Sequence, residues 1–215
     1  MIMCQLSQAA IDGILAAGRI YEVGGAVRDR LMPGRQVKDR DYLVTGVPYD
    51  QLTKILRSHG RVDLVGRSFG VIKFTEFRKE KSYTFDISLP RREHSTGVGH
   101  KDFQVDFDPS IKVEDDLTRR DFTINAMAIA LDSDQLIDPL GGKLDLEHRR
   151  LRMTTEQSFK EDPLRMLRAI QFAARFEFEI EEKTLQAIRD NVALIDTVST
   201  ERIAEELNKL LLLAE

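Results

Sequence analysis

The chain has 215 residues, 42% apolar and 32% charged, which is enough to bury one good core or two modest ones and excludes a low-complexity or fibrous protein. Its formal charge of −4 removes the global electrostatic case for nucleic acid, so any RNA contact has to be local. A single cysteine, Cys4, excludes an intrachain disulfide and a cysteine zinc cage and suits a reducing cytoplasm, and without an apolar run of about 18 residues or a basic-then-apolar leader neither a membrane span nor a secretory signal is expected.

In chain order, Ser7 is a candidate cap for a first helix through Ala17, with Ile11, Ile14 and Leu15 on one face and Gly18 as its stop. The apolar run Ile20, Tyr21, Val23 reads as a strand. Gly24-Gly25 then turns it into a short helix over residues 26–31. Such a turn exposes backbone N–H groups, and two residues without side chains let a phosphate approach them at the positive end of a helix. Arg28 adds a fork of donors. The same glycine pair also makes an ordinary turn with no ligand.

Lys38-Asp39-Arg40-Asp41 leads directly into the strand-like run Tyr42-Leu43-Val44. Alternate residues of a strand share a face, so Asp39 and Asp41 are expected to project together at its start. Two carboxylates so close repel each other, and hard Mg²⁺ relieves that repulsion. Solvated ends of a surface strand are the other reading. With a glycine turn fifteen residues upstream, the pair suits metal-assisted phosphoryl or nucleotidyl transfer.

Residues 49–58 read as a helix and 61–65 as a strand, and 71–77 with 82–89 as a hairpin about the charged turn Arg78-Lys79-Glu80-Lys81. Strands followed by helices around a hairpin predict an α+β sheet domain rather than a doubly wound one. Asp86 falls in mid-strand: either it faces solvent, or it joins Asp39 and Asp41 as a third carboxylate that binds metal or helps deprotonate an attacking hydroxyl. Residues 91–106, polar and holding Gly97 and Gly99, predict a mobile loop. Its His94 and His100 lack a second cluster of metal-ligand types. Between Lys73 and Lys101, seven Lys/Arg face four Asp/Glu, a local excess that suits either an RNA backbone or simple solvation.

Within residues 114–128, Thr118 or Asp121 is a candidate start for a helix whose apolar residues are Phe122, Ile124, Met127 and Ala128. Its first turns gather Arg120, Asp121 and Asn125. Arginine can hold a phosphate, and an acid with an amide can take both hydroxyls of a ribose; a capped helix with a surface Arg–Asp pair explains the string equally. Residues 136–142 end a short strand in a Pro/Gly turn, the expected domain boundary. Beyond it the chain reads helical. Asp162 caps and Pro163 opens a helix through Arg175 with the stripe Leu164, Leu167, Ile170, Ala174, leaving Arg165, Arg168 and Arg175 on a neighbouring face. Residues 184–192 and 199–213 read as two further helices.

Five blocks, in order, resemble the motifs of class II tRNA nucleotidyltransferases and their bacterial poly(A) polymerase relatives. Gly24-Gly25-Ala26-Val27-Arg28-Asp29 with Asp39-Arg40-Asp41 is similar to the first signature. Arg120-Asp121 with Asn125 matches the Arg-Arg-Asp-x-x-x-Asn signature, Asp138 and Gly142 the Asp-x-x-x-Gly link between head and neck, and Glu161-Asp162 with Arg165 the Glu-Asp-x-x-Arg motif. The string from Ser199 to Leu207 resembles the last, structural motif. The resemblance implies a polymerase-beta-like mixed-sheet nucleotidyltransferase head over 1–142 and an all-helical neck over 143–215, as the head-and-neck portion of a longer protein. It implies two Mg²⁺ ions on Asp39 and Asp41, the triphosphate on Gly24, Gly25 and Arg28, and the sugar and triphosphate on Arg120, Asp121 and Asn125. Asp162 and Arg165 would pair with the edge of the incoming base, with Arg168 beside them; some members carry another arginine where this chain has Gln171. The implied substrates are CTP, ATP and the 3′ end of tRNA, in CCA addition or repair, and no protein partner is implied. Poly(A) synthesis and CC-only or A-only addition stay open, as do two other classes: a non-catalytic nucleotide- or RNA-binding module, and nucleotidyl transfer to a small molecule. The intact Asp39/Asp41 pair weighs against the module and the neck motif against the small acceptor.

Overall fold

The computed structural model describes residues 5–37, 39–63, 71–95 and 103–212, and their side chains except at 92–95 and 103–106. Cys4, Lys38, Gly97, Gly99 and His100 lie outside the described residues. Helix α1 (Gln8–Leu15) starts where the Ser7 hydroxyl accepts from the Ala10 N–H at 3.3 Å. It is followed by β1 (Arg19–Val23), α2 (Gly25–Leu31), β2 (Asp41–Thr45), α3 (Tyr49–Arg57) and β3 (Arg61–Asp63). The hairpin β4 (Val71–Arg78) and β5 (Lys81–Ser88) comes next, then β6 (Arg91–Ser95) and β7 (Phe103–Phe107). Helix α4 (Val113–Thr118), a 3₁₀ turn at Thr123–Asn125, β8 (Ala128–Ala130) and β9 (Leu136–Ile137) complete the sheet region.

The sheet runs β3-β4-β5-β2-β1-β8-β9, with β2 parallel to β5 and its other pairs antiparallel. This is the mixed sheet of an α+β head. Tyr42, Leu43 and Val44 are all fully buried, because β2 is central and covered on both faces. On one face Tyr42, Val44, Phe74 and Ile87 pack with Ile14 of α1 and Leu52 and Leu56 of α3. On the other, Tyr21, Val23 and Leu43 pack with Val113 and Leu117 of α4.

The chain then forms α5 (Gly142–Glu147), β10 (Arg150–Leu151), α6 (Ser158–Glu161), α7 (Leu164–Phe176), β11 (Glu179–Ile180), α8 (Glu182–Asn191), a 3₁₀ segment at Val192–Thr197 and α9 (Thr200–Leu211). Phe122 and Ile124 from the sheet side enter the core of this helical part, beside Met166, Ala169, Phe172 and Phe176 of α7. Phe122 meets Phe172 edge-on at 5.7 Å. Gly142 sits where a Cβ would lie 2.1 Å from the Thr123 carbonyl oxygen, so the two backbones touch there as no other residue would allow.

Three expectations are corrected. No helix starts at Thr118 or Asp121: α4 ends at Thr118 and residues 123–125 make only a 3₁₀ turn. The donors a helix would have used are taken elsewhere, the Thr123 N–H by Arg152 O at 2.9 Å and the Phe122 N–H by the Asp121 carboxylate at 2.8 Å. The stretch 91–106 is not a plain loop, since β6 and β7 pair antiparallel from Arg91↔Phe107 to Ser95↔Phe103. Finally, of the expected stripe on α7 only Leu164 is buried; the helix otherwise buries Met166, Ala169, Phe172 and Phe176, while Ile170 is 45% exposed. The inward face is rotated because it also carries the polar Arg165 and Gln171. Among the described residues no helix is long and apolar enough to cross a membrane.

Candidate active site

The strand β1 delivers the chain to Gly24, whose φ of +71° and ψ of −134° few side-chain-bearing residues adopt. A Cβ there would also lie 2.9 Å from Arg120 Nη1. The Gly24 N–H donates to Met127 O at 3.2 Å, so it is not among the donors that the turn offers a ligand. The N-terminus of α2 is thereby pinned between β1 and β8.

Asp41 opens β2 and lies in register with Val23 on β1 and Asp86 on β5, so the two carboxylates are neighbours on adjacent parallel strands. Asp39 lies two residues earlier and is exposed. Arg40, between them, turns inward and pairs with Glu22 of β1, whose side chain is wholly buried. This buried pair fixes the alternation that sends the aspartates the other way. Asp41 is open to the cleft, but desolvation by the surrounding walls raises its pKa, the charges of Asp86 and Asp39 push it further, and Arg120 only partly opposes them. Asp86 is about half exposed, with Lys73 Nζ 3.9 Å from its Oδ1.

A hydrogen-bonded chain crosses from α2 to α7. Arg28 Nη1 donates to Asn125 Oδ1 at 2.7 Å, while its Nε and Nη2 donate to Asp29 Oδ1. Asn125 Nδ2 donates to Asp121 Oδ1 at 3.1 Å, and Arg168 donates to Asp121 Oδ2 from Nε at 3.0 Å and Nη2 at 2.7 Å. Burial alone would raise the Asp121 pKa, but the Arg168 charge and these hydrogen bonds outweigh it and hold it below the ordinary aspartate value. For Arg28 burial wins over Asp29, and its pKa is lowered. Arg120 lies beside this chain, its Nη2 3.3 Å from the buried Asp116.

Between α6 and α7 the Asp162 carboxylate accepts from the Leu164 N–H at 3.2 Å and from Arg202 Nη2 of α9 at 2.9 Å. Arg165 is buried. Its Nη1 donates to Ser158 Oγ at 2.9 Å and its Nη2 to the Arg119 carbonyl at 2.9 Å, so it ties α7 to α6 and to the end of α4.

These groups surround one cleft of about 1420 Å³ between the ends of the central strands β1, β2 and β5 and helices α7 and α9. Gly24, Gly25, Arg28, Asp41, Asp86, Arg120, Asp121, Asn125, Asp162, Arg165 and Arg168 all line it; Asp39 is outside the lining. Among the described residues the walls carry eight arginines and one lysine against six carboxylates, a positive excess in a chain of net charge −4. That suits a polyanion such as a triphosphate. The hard oxygens of Asp41, with Asp86 in register beside it and Asp39 two residues earlier, carry charge that Arg120 and Lys73 only partly offset, and they suit a divalent cation. No group of three or more His, Cys, Asp or Glu among the described residues would hold a metal unaided, so ligand oxygens would have to complete the coordination.

Sequence reasoning missed the wall from α9, where Arg202 and Glu206 line the cleft and Glu206 lies 3.6 Å from Arg168. It also missed the Glu22–Arg40 pair. The arginine between two aspartates at a strand start was the available signal, because alternation must turn it inward.

The family described as Poly A polymerase head domain matches residues 20–152, and that described as probable RNA and SrmB-binding site of polymerase A matches residues 177–215. The multifunctional CCA protein of Acidovorax ebreus is 42% identical over 195 residues, 88% of this chain and 43% of its own. That of Haemophilus ducreyi is 42% identical over 198 residues, 90% and 45%. The Bacillus stearothermophilus CCA-adding enzyme in complex with CTP superposes with a TM-score of 0.79 at 32% identity, over 94% of this chain and 47% of that one. The Thermotoga maritima CCA-adding enzyme complexed with tRNA gives 0.74 at 32% identity, over 94% and 45%. The chain thus spans under half the length of these relatives. With its mixed sheet, its glycine turn beside paired carboxylates and a head-domain match over residues 20–152, this chain belongs to the poly(A) polymerase head domain family.

Proposed function

We propose that this chain is the catalytic head, residues 1–142, and the neck, residues 143–215, of a cytoplasmic template-independent nucleotidyltransferase that adds C and A from CTP and ATP to the 3′ end of tRNA. The observation that carries this reading is the single cleft with Asp41 and Asp86 on one wall and Asp162, Arg165 and Arg168 on the other. Relatives named for CCA addition, one solved with CTP and one with tRNA, support it.

Asp39 and Asp41 hold two Mg²⁺ ions in this reading. When bound, they neutralise triphosphate charge and lower the pKa of the attacking 3′-hydroxyl. Gly24 and Gly25 leave room for the triphosphate, and Arg28 and Arg120 face it with positive charge. Asp86, in register with Asp41, takes the hydroxyl proton in this reading. Asp121 and Asn125 orient the sugar. Asp162 accepts from an exocyclic amine of the base while Arg165 donates to its ring nitrogen or carbonyl, which lets protein read cytosine and adenine without a template strand.

The test is incubation with Mg²⁺, a tRNA transcript lacking its 3′ end, and CTP and ATP singly and together, with products resolved at nucleotide length. Addition of C, C and A in that order is expected. Long ATP-only tails would move the assignment to poly(A) polymerase, the reading favoured by the name of the matched head family. Failure of every nucleotide to extend the transcript would overturn the proposal.

A further inference from the structure

A second cavity, of about 640 Å³, lies at the C-terminal end of α7, where the end of α2 and helix α5 meet it. Arg35, Lys143, Arg149 and Arg175 line it above an apolar floor that includes Phe176. Among the described residues none of these four cations forms an ion pair with a carboxylate. The main cleft differs: there Arg168 is answered by Asp121, Arg202 by Asp162, and Arg119 and Arg120 by Asp116.

The Phe176 ring gathers two of these cations, Arg35 at 4.6 Å and Arg175 at 5.4 Å from its centre, with Arg28, itself paired with Asp29, at 4.5 Å. Ring quadrupoles attract each cation, but converging like charges repel, and an anion relieves that repulsion. Glu147 and Glu177 at the cavity wall leave the four cations in excess. Arg175 lines both this cavity and the main cleft, so the positive surface is continuous from one to the other. Arg35, Lys143 and Arg149 are solvent-exposed and spread over two segments, the arrangement that suits successive phosphates of a chain better than one enclosed anion.

We propose that this cavity is a second RNA-binding surface that holds backbone phosphates of the acceptor RNA leading away from the cleft. It rests on the proposed function for the identity of the RNA. It also lies largely outside residues 177–215, the part matched by the RNA-binding family.

The test uses this chain, a fluorescently labelled tRNA transcript lacking its 3′ end, and anisotropy titrations at several salt concentrations. The variant is Arg35→Gln/Lys143→Gln/Arg149→Asn, with asparagine chosen because residue 149 has a φ of +52°. The expected result is RNA affinity weakened at least about tenfold and a salt-dependence slope shallower by about 2, with CTP affinity unchanged. RNA affinity and slope equal to wild type would overturn the inference. A parallel loss of CTP affinity, which would assign the cavity to free nucleotide, or a wild-type chain that does not bind RNA, would do the same. If circular dichroism shows the triple variant unfolded, Lys143→Gln alone decides, with an expected slope change of about 0.7. Wild type that binds RNA in this way but adds no nucleotide defeats only the proposed function; wild type that adds nucleotides while the variant binds RNA equally defeats only this inference.

Discussion

Asp41 and Asp121 line the same cleft, and the fold treats their charges in opposite ways. Asp121 is answered by a two-pronged arginine, an amide and a backbone N–H, which hold its pKa low. Asp41 meets two other carboxylates and only a partial counter-charge from Arg120, and its pKa is raised. The answered carboxylate stabilises the protein, while the unanswered one costs stability and keeps its charge available for something that is not protein. The linkage signs follow. The contribution of Asp121 is present above the ordinary aspartate range and is lost as pH falls through its lowered pKa. Protonated Asp41 is favoured by the fold, so its contribution is present at low pH and is lost as pH rises through its raised pKa.

The strongest way to break this contrast is Asp41→Asn. We expect nucleotide incorporation to fall by about 10³-fold or more, the scale of losing an electrostatic element of a reaction centre. The thermal midpoint at neutral pH should rise rather than fall; turnover near wild type would remove Asp41 from the chemistry. Asp121→Asn should do the reverse to stability, lowering it by about 2 kcal/mol at neutral pH through loss of charge-assisted hydrogen bonds. Urea unfolding at neutral and at acid pH checks this, with the deficit expected to shrink as pH falls; an unchanged midpoint would mean that the Arg168 pair contributes nothing net. The smallest effect sharpens the comparison. Asp86→Asn removes a charge that raises the Asp41 pKa, so the Asp41 carboxyl, followed by NMR titration of the folded variant, should ionise at lower pH. An unmoved titration would separate the two carboxylates electrostatically.

Much of the fold was legible because its signals were local. Ser7 before an apolar stripe, the charged turn at 78–81 and Pro163 after Asp162 each mark an element end by short-range chemistry, and the observed bounds follow them closely. The misread parts are those where distant groups decide. The string after Arg120 has a helical spacing of apolar residues, but Arg152 and Arg168, from the helical part, take the groups a helix would need. On α7 the aliphatic stripe looked like the packing face, yet buried Arg165 and Gln171 turn with the aromatics instead. Polar residues brought inward by a site rotate a helix against its simplest pattern. For the site itself, the glycine turn and Asp41 were readable from strand periodicity, whereas Asp39 lies before β2 and outside the cleft lining. Their meeting with α9 was not, because nothing within residues 23–41 specifies where Arg202 will lie.

Phe122 and Ile124 sit in the helical core although they belong to the segment that closes the sheet. The two halves are therefore not modules in the folding sense. Neither can complete its interior without the other, so cooperativity extends across the cleft, and the wall that carries Asp41 and Asp86 and the wall that carries Asp162 and Arg165 form or dissolve together. Exchanging one half between relatives would mean exchanging these two side chains with it.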